Sequence, residues 1–141
     1  MEGSYTLLID LASDATVTVG ALGAHEFGAG RYAYVGSAFG PGGLGRVDRH
    51  RELARGEREA RHWHVDYLLG AAPASVARAV TSEGVDVECA VAGALDDRFQ
   101  RVEGFGASDC DCPSHLYYAP PGETEALAGA VERAHRERDE R

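Results

Sequence analysis

The chain has 141 residues, of which 44% are hydrophobic, and this composition is typical of a single folded domain rather than of a disordered protein. No apolar run reaches membrane-spanning length, and the first residues lack the basic segment and apolar core of a signal peptide. The three cysteines are an odd number, which argues against a disulfide framework and leads us to expect a reduced, cytoplasmic protein.

The charge is unusual in its kind as well as in its amount. All 14 basic residues are arginines, and 23 acidic residues bring the net charge to −9. An acidic surface without lysine is typical of a salt-adapted protein, in which ions screen the self-repulsion. Taken alone, this net charge argues against nucleic-acid binding.

Apolar runs predict strands in the first third of the chain. Tyr5–Asp10 and Thr16–Val19 are two such runs, and a glycine-rich turn follows near Gly20–Gly23. Arg31–Val35 alternates large and small residues and predicts a third strand. The glycine-rich stretch 36–45 lacks the lysine of a phosphate-binding loop, so nucleotide binding is not expected.

The rest of the chain alternates helices with short strands. Its periodicity predicts, in order, helix Leu44–Arg55, helix Arg61–Leu69, strand Val76–Thr81, helix Val85–Leu95, strand Leu116–Ala119 and helix Glu123–Arg138. The last helix is amphipathic and expected to be exposed; it lies in residues 120–141, which pack on the domain 1–119 or extend from it. The fold class predicted is mixed α+β, with a small central, mainly antiparallel sheet flanked by helices.

Arginines concentrate in residues 46–61, where six arginines stand against four acidic residues. Arg46, Arg49 and His50 share one face of the predicted helix, and a locally basic strip would suit a phosphate-binding surface. Charge pairs within a solvated helix explain the same residues without any ligand.

Glu88 is a single carboxylate in a stretch that is otherwise free of charge. Its neighbours at helical spacing are Val91, Ala92 and Leu95, which are all apolar. A carboxylate in such a place is costly unless it binds a metal ion or pairs with an arginine. The sequence therefore predicts either a metal ligand or a buried ion pair.

The segment 104–115 concentrates reactive side chains in a loop that two glycines and a proline shape. It contains, in order, Ser108, Asp109, Cys110, Cys112 and His115. Buried thiols that pack as small apolar groups are one interpretation, and a functional site is another. A zinc site at Cys110, Cys112 and His115 would need a fourth ligand, such as Cys89 or His64.

These motifs, in this order, resemble the GIY-YIG nuclease superfamily. Gly3-Ser4-Tyr5 stands in the first strand and Tyr34-Val35-Gly36 in the third, and Arg46 and Glu88 follow. Residues 3–119 are similar to a prokaryotic branch of unknown function that is sometimes fused to endonuclease III. The segments that carry this similarity are 32–38, 61–69 and 104–118.

The resemblance implies hydrolysis of phosphodiester bonds in DNA, assisted by Mg²⁺ or Mn²⁺ at Glu88. It implies that Tyr34 is the general base with Tyr5 beside it, and that Arg46 binds the phosphate. It also implies a role in DNA repair, in which the protein associates with a base-excision repair endonuclease, and RNA is an alternative substrate. The candidate catalytic residues are Tyr5, Tyr34, Arg46, His50, His64 and His115. The candidate substrate-binding residues are Gly36, Ser37, Arg49, Ser108 and Asp109.

Two features leave a non-cleaving nucleic-acid-binding module open as an alternative function. The interval between Tyr5 and Tyr34 is longer than in those nucleases, and residues 108–115 stand where they have an asparagine.

We further expect the loop to fold over the same cleft as Tyr34 and Glu88, with His115 or Asp109 pointing inward, because its polar groups need partners when buried.

Overall fold

The structure of the chain is a computed structural model, and it describes residues 2–39, 43–57, 64–71, 74–102, 105 and 114–139. The strands are β1 (Gly3–Leu11), β2 (Ala15–Thr18), β3 (Ala24–Phe27), β4 (Gly30–Ala38), β5 (Ala74–Glu83), β6 (Gln100–Arg101) and β7 (Leu116–Ala119). The α-helices are α1 (Arg46–Ala54), α2 (His64–Leu69), α3 (Glu88–Asp96) and α4 (Thr124–Asp139). In this described part of the chain, no helix is long and apolar enough to span a membrane.

The central sheet has five strands in the order β5-β1-β4-β7-β6, and every neighbouring pair is antiparallel. The predicted fold class, a mixed α+β domain with a mainly antiparallel sheet and flanking helices, is therefore confirmed. The long strands β1 and β4 pair along their whole length, from Gly3 opposite Ala38 to Leu11 opposite Gly30.

Alternation along the strands divides the core between the two faces of the sheet. In β1, Leu7 and Ile9 pack in the cluster that contains α1 and α2, whereas Leu8 packs in the cluster of α3 and α4. The same alternation in β4 separates Tyr34 from Val35. The domain therefore has three layers, with one pair of helices on each side of the sheet.

Two strands were not predicted. The strand β3 pairs with β2 in a separate two-stranded sheet, and of its four residues only Phe27 is buried, so its sequence carries little strand pattern. The strand β6 consists of two exposed residues and is too short to leave a pattern. Because β3 was not predicted, the third predicted strand corresponds to β4. The turn predicted near residue 20 is the 3-10 helix Gly20–Leu22.

The helix α3 begins at Glu88, three residues after its predicted start at Val85. Ser4 explains the difference, because its Oγ accepts a hydrogen bond from the N–H of Val87 and donates one to the carbonyl of Val85, both at 2.9 Å. These contacts hold the residues before Glu88 in a non-helical conformation. A side chain of β1 thus determines where α3 starts.

The C-terminal helix packs on the domain, one of the two arrangements expected for it, and it is exposed along one face only. Leu127 and Val131 of α4 are fully buried in the same cluster as α3. His135 is also buried, with Nε2 at 2.7 Å from Thr6 Oγ1 and Nδ1 at 2.8 Å from Ser82 Oγ. The helix therefore packs on the sheet along one face and hydrogen-bonds both β1 and β5.

Candidate functional site

Tyr5 and Tyr34 lie side by side on the sheet face that α1 and α2 cover, with ring centroids 6.4 Å apart. The register places Tyr5 opposite Gly36, and a Cβ atom on Gly36 would lie 2.4 Å from Cζ of Tyr5. Gly36 thus leaves the space that the Tyr5 ring occupies. The expected proximity of the two tyrosines is observed, and the position of Gly36 is explained by packing.

A buried polar chain runs from Tyr5 through His50 to Asp66. The Tyr5 hydroxyl is 2.9 Å from Nε2 of His50, and Nδ1 of His50 is 3.6 Å from Oδ1 of Asp66. Asp66 and His50 are both fully buried. The negative charge of Asp66 favours the proton on Nδ1, which leaves Nε2 to accept the hydrogen bond from Tyr5.

Arg49 pairs with a carboxylate inside the protein. Its guanidinium donates hydrogen bonds of 3.3 and 3.2 Å to the two oxygens of Asp66. The expected phosphate-binding face of Arg46, Arg49 and His50 is therefore not presented as a whole, because Arg49 is paired and His50 is buried. Arg58 and Arg61 of the basic stretch lie outside the described residues.

Arg46 is the arginine that acts on the tyrosines. Its guanidinium donates a 2.6 Å hydrogen bond to the backbone carbonyl of Ser37 and another to the hydroxyl of Tyr5. Burial raises the pKa of Tyr5 and of Tyr34 well above their usual range, and the charge of Arg46 opposes this rise in both. Ser37 thus contributes through its main chain, by holding Arg46 in place.

The charge of Glu88 affects the pKa of the same two phenols in the direction opposite to that of Arg46. Its negative charge raises the pKa of both Tyr5 and Tyr34. Burial, followed by the charge of Asp86, raises the pKa of Glu88 itself to about 7, while Arg46 lowers it. A carboxylate that is costly to ionise gains more from a bound cation than one in free solution.

His115 lies beside Glu88, whereas Asp109, the other residue expected to point into the cleft, lies outside the described residues. Its Nδ1 is 3.6 Å from Oε2 of Glu88, and the ligand atoms of Glu88, Cys89 and His115 all lie within 4.8 Å of one another. Burial lowers the pKa of His115, so its imidazole is mainly neutral at neutral pH and has a lone pair to offer.

The backbone of His115 is held on both sides. Its N–H donates a 2.8 Å hydrogen bond to the carbonyl of Phe105, and its carbonyl accepts a 2.9 Å hydrogen bond from Val35. Phe105 and His115, on either side of residues 106–113, are therefore close together. That segment, with the candidate residues Ser108, Asp109, Cys110 and Cys112, lies outside the described residues.

His64 contacts a different neighbour. Its ring centroid is 5.6 Å from that of Phe105, whose ring is in turn 6.3 Å from Tyr34. Burial and the charge of His25 lower the pKa of His64. The structure therefore connects His64 to Tyr34 through the ring of Phe105.

The predicted residues thus separate into two sets, and one residue was missed. One set comprises Tyr5, Tyr34, Gly36, Ser37, Arg46 and His50, with Arg49 joined to it through Asp66. Glu88 and His115 form a second pair, which the charges of Arg46 and Glu88 couple to the first set, and His64 lies against Phe105. Asp66 was not predicted, although it is the only charged residue of the otherwise apolar run 65–69. That is the same signal that identified Glu88.

Comparison with known proteins places the whole arrangement within one domain family. A family model described as a domain of unknown function, DUF123, matches residues 4–138. The matched range begins in β1 and ends in α4, so it includes the tyrosine pair, Glu88, His115 and the C-terminal helix. No curated protein and no solved structure matches the chain.

Proposed function

The chain belongs to the family DUF123, a domain of unknown function, and we propose that it is a divalent-metal-dependent nuclease that hydrolyses phosphodiester bonds in DNA. The observation that carries this proposal is that Tyr5 and Tyr34 lie side by side, with the guanidinium of Arg46 on the Tyr5 hydroxyl and the charge of Glu88 acting on both phenols. A cation, a carboxylate and two phenols in one place are the groups that the resemblance to GIY-YIG nucleases implies for this reaction.

The residues present fit a divalent cation. Glu88 is a half-buried carboxylate whose pKa is raised to about 7, and a cation would stabilise its charged form. Mg²⁺ or Mn²⁺ would polarise the phosphate and stabilise the leaving oxygen. Arg46, held by the carbonyl of Ser37, would bind a phosphate oxygen and balance the charge that develops there.

We assign different roles to the two tyrosines. Both phenols are buried, and the resemblance assigns to Tyr34 the role of accepting a proton from the attacking water. It must first lose its own proton, which the charge of Arg46 favours. Tyr5 is a positioning residue, since His50 and Arg46 hold its hydroxyl and its ring lies against Tyr34.

The second candidate function is a module that binds nucleic acid without cleaving it. The burial of both phenols favours this function, because it raises their pKa and keeps the hydroxyls protonated at neutral pH. Such a site would bind a phosphate through Arg46 and would not activate water. RNA as substrate, and association with a base-excision repair endonuclease, are proposals that rest on the resemblance alone.

A cleavage panel tests both functions. The panel contains single-stranded, duplex, branched and damaged DNA together with structured RNA, each with Mg²⁺, Mn²⁺ or chelator, at low and high salt. We expect cleavage that requires the metal, is lost in Glu88→Gln and in Tyr34→Phe, and is retained in Glu83→Gln, whose carboxylate is exposed on β5. Binding without cleavage would select the module, and neither binding nor cleavage would contradict both.

A further inference from the structure

We infer that Glu88, Cys89 and His115 form a binding site for a thiophilic divalent cation of the Zn²⁺ class. Their carboxylate oxygen, sulfur and imidazole nitrogen all lie within 4.8 Å of one another. Ligand atoms that share a zinc ion at bond lengths of about 2.0–2.3 Å stand roughly 3–4 Å apart. Small rotations of the three side chains would therefore bring these atoms into coordination distance.

Two separate elements hold the three residues. Glu88 and Cys89 are the first two residues of α3, whose start the Ser4 side chain determines. His115 precedes β7, and its backbone hydrogen bonds to Phe105 and Val35 fix its direction. The site therefore depends on the fold, because residues from distant parts of the chain meet only when α3 and β7 are in place.

The chemistry of the three ligands selects the kind of metal. Thiolate and imidazole are ligands that Zn²⁺ and similar transition metals prefer, whereas Mg²⁺ prefers oxygen ligands. Cys89 is an exposed free thiol, so an ion in solution can reach it. On binding, the thiol gives its proton to solvent, and the thiolate, the imidazole and the carboxylate coordinate the ion. Three protein ligands leave a fourth position for water or a phosphate oxygen.

Glu88 is a ligand of the zinc-class site and also the proposed ligand of Mg²⁺. Binding of Zn²⁺ and binding of Mg²⁺ would therefore exclude each other. Zn²⁺ would then inhibit metal-dependent cleavage, and Cys89→Ser would relieve that inhibition. This consequence rests on the proposed nuclease function, whereas the zinc-class site itself rests only on the geometry of Glu88, Cys89 and His115.

Cobalt spectroscopy tests the site without any measurement of cleavage. Metal-stripped protein, kept reduced, is titrated with Co²⁺, and we expect one ion per chain with a thiolate-to-cobalt charge-transfer band in the near ultraviolet. Zn²⁺ should abolish the band by displacing Co²⁺. Glu88→Gln and His115→Gln should each weaken Co²⁺ binding by roughly tenfold or more, by analogy with the loss of other metal-site groups.

Cys89→Ser is the decisive variant, because the side chain is exposed and its exchange should not disturb folding. We expect the charge-transfer band to disappear in Cys89→Ser and to persist in the double variant Cys110→Ser/Cys112→Ser. A band that persists in Cys89→Ser and disappears in the double variant would place the sulfur ligand in the segment 104–115 and overturn the inference. Absence of Co²⁺ binding in the folded wild-type protein would overturn it as well. The Co²⁺ spectra do not depend on whether the protein cleaves nucleic acid. The zinc-class site and the nuclease function can therefore be contradicted independently of each other.

Discussion

The Tyr5 hydroxyl lies 2.9 Å from Nε2 of His50, at a point where neither side chain is open to solvent. This contact joins the first strand to α1, and Asp66 extends it to α2. The orientation of Tyr5 therefore depends on the packing of two helices against the sheet as well as on the strand register. Substitution of Tyr5, His50 or Asp66 should therefore lower the stability of the folded protein.

Asp66→Asn should destabilise the protein. Asp66 is a fully buried carboxylate whose charge pairs with Arg49, and removing one partner of a buried ion pair costs about 3–5 kcal/mol. Urea unfolding followed by fluorescence or circular dichroism measures the change. The control is Asp48→Asn, an exposed carboxylate in the first turn of α1, which should change the free energy of unfolding by less than about 1 kcal/mol. Equal effects of the two changes would contradict the assigned role of Asp66.

Gly36→Ala should destabilise the protein by about 1–3 kcal/mol, the usual cost of overpacking a core. The new Cβ would lie 2.4 Å from Cζ of Tyr5, so the ring would have to move away from its present position. Gly93→Ala is a matched control in α3, where a Cβ meets nothing within 4 Å, and it should stabilise the helix by about 0.5–1 kcal/mol. Thermal or urea unfolding compares the two, and a neutral Gly36→Ala would show that the Tyr5 ring can relax without cost.

Glu88→Gln should change how stability depends on pH. The pKa of Glu88 is raised in the folded protein to about 7, so the folded state binds more protons than the unfolded state between its ordinary value and about 7. Stability of the wild type should therefore fall as pH rises through this window. Relative to the wild type, Glu88→Gln should be more stable at pH 8 and similar at pH 4.

Unfolding curves at several pH values, without divalent metal, measure this difference. Asp86, Arg46, Cys89 and His115 lie near Glu88 or act on it, and Tyr5 and Tyr34 feel its charge. All of these groups are present in both proteins, so the comparison isolates the carboxyl group of Glu88. A difference that stays constant between pH 4 and pH 8 would contradict a raised pKa for Glu88.

Arg46→Ala should weaken nucleic-acid binding and reduce its dependence on salt, if Arg46 contacts a phosphate as proposed. Each phosphate contact releases counterions, so its loss should lower the slope of log K against log salt by about 0.9 for duplex DNA. Fluorescence anisotropy at several salt concentrations measures the slope. Arg136→Ala, an exposed arginine on the opposite face of the sheet, is the control and should leave the slope unchanged. The same slope for Arg46→Ala and wild type would restrict Arg46 to its contacts with Ser37 and Tyr5.

The central strands could be predicted from their apolar runs, and the partly exposed β2 and β5 from their β-branched residues. β1, β4 and β7 lie in the centre of the sheet and bury most of their residues, so each appears as an apolar run. The hairpin strand β3 and the two-residue β6 expose most of theirs and were missed. The position of α4 could not be predicted, because amphipathic periodicity shows that a helix has an apolar face but does not show what covers it.

The site was predicted where a motif or an unusual neighbourhood marked a residue. Tyr5, Tyr34 and Glu88 were identified in this way; the two tyrosines lie side by side, and the charge of Glu88 acts on both of them. The partner of Arg49 could not be predicted, since its contact with Asp66 depends on how α1 packs against α2. The burial of His135 could not be predicted, because this residue stands among arginines and glutamates in a helix whose sequence is typical of a solvent-exposed one.

The hydrogen bond between the His115 N–H and the Phe105 carbonyl has a consequence for how this chain can vary. It joins the two ends of the intervening segment 106–113, so the position of the histidine does not depend on the length of that segment. A version with the segment shortened to a tight turn should keep His115 beside Glu88. Insertions between Phe105 and Ser114 should likewise leave His115 beside Glu88.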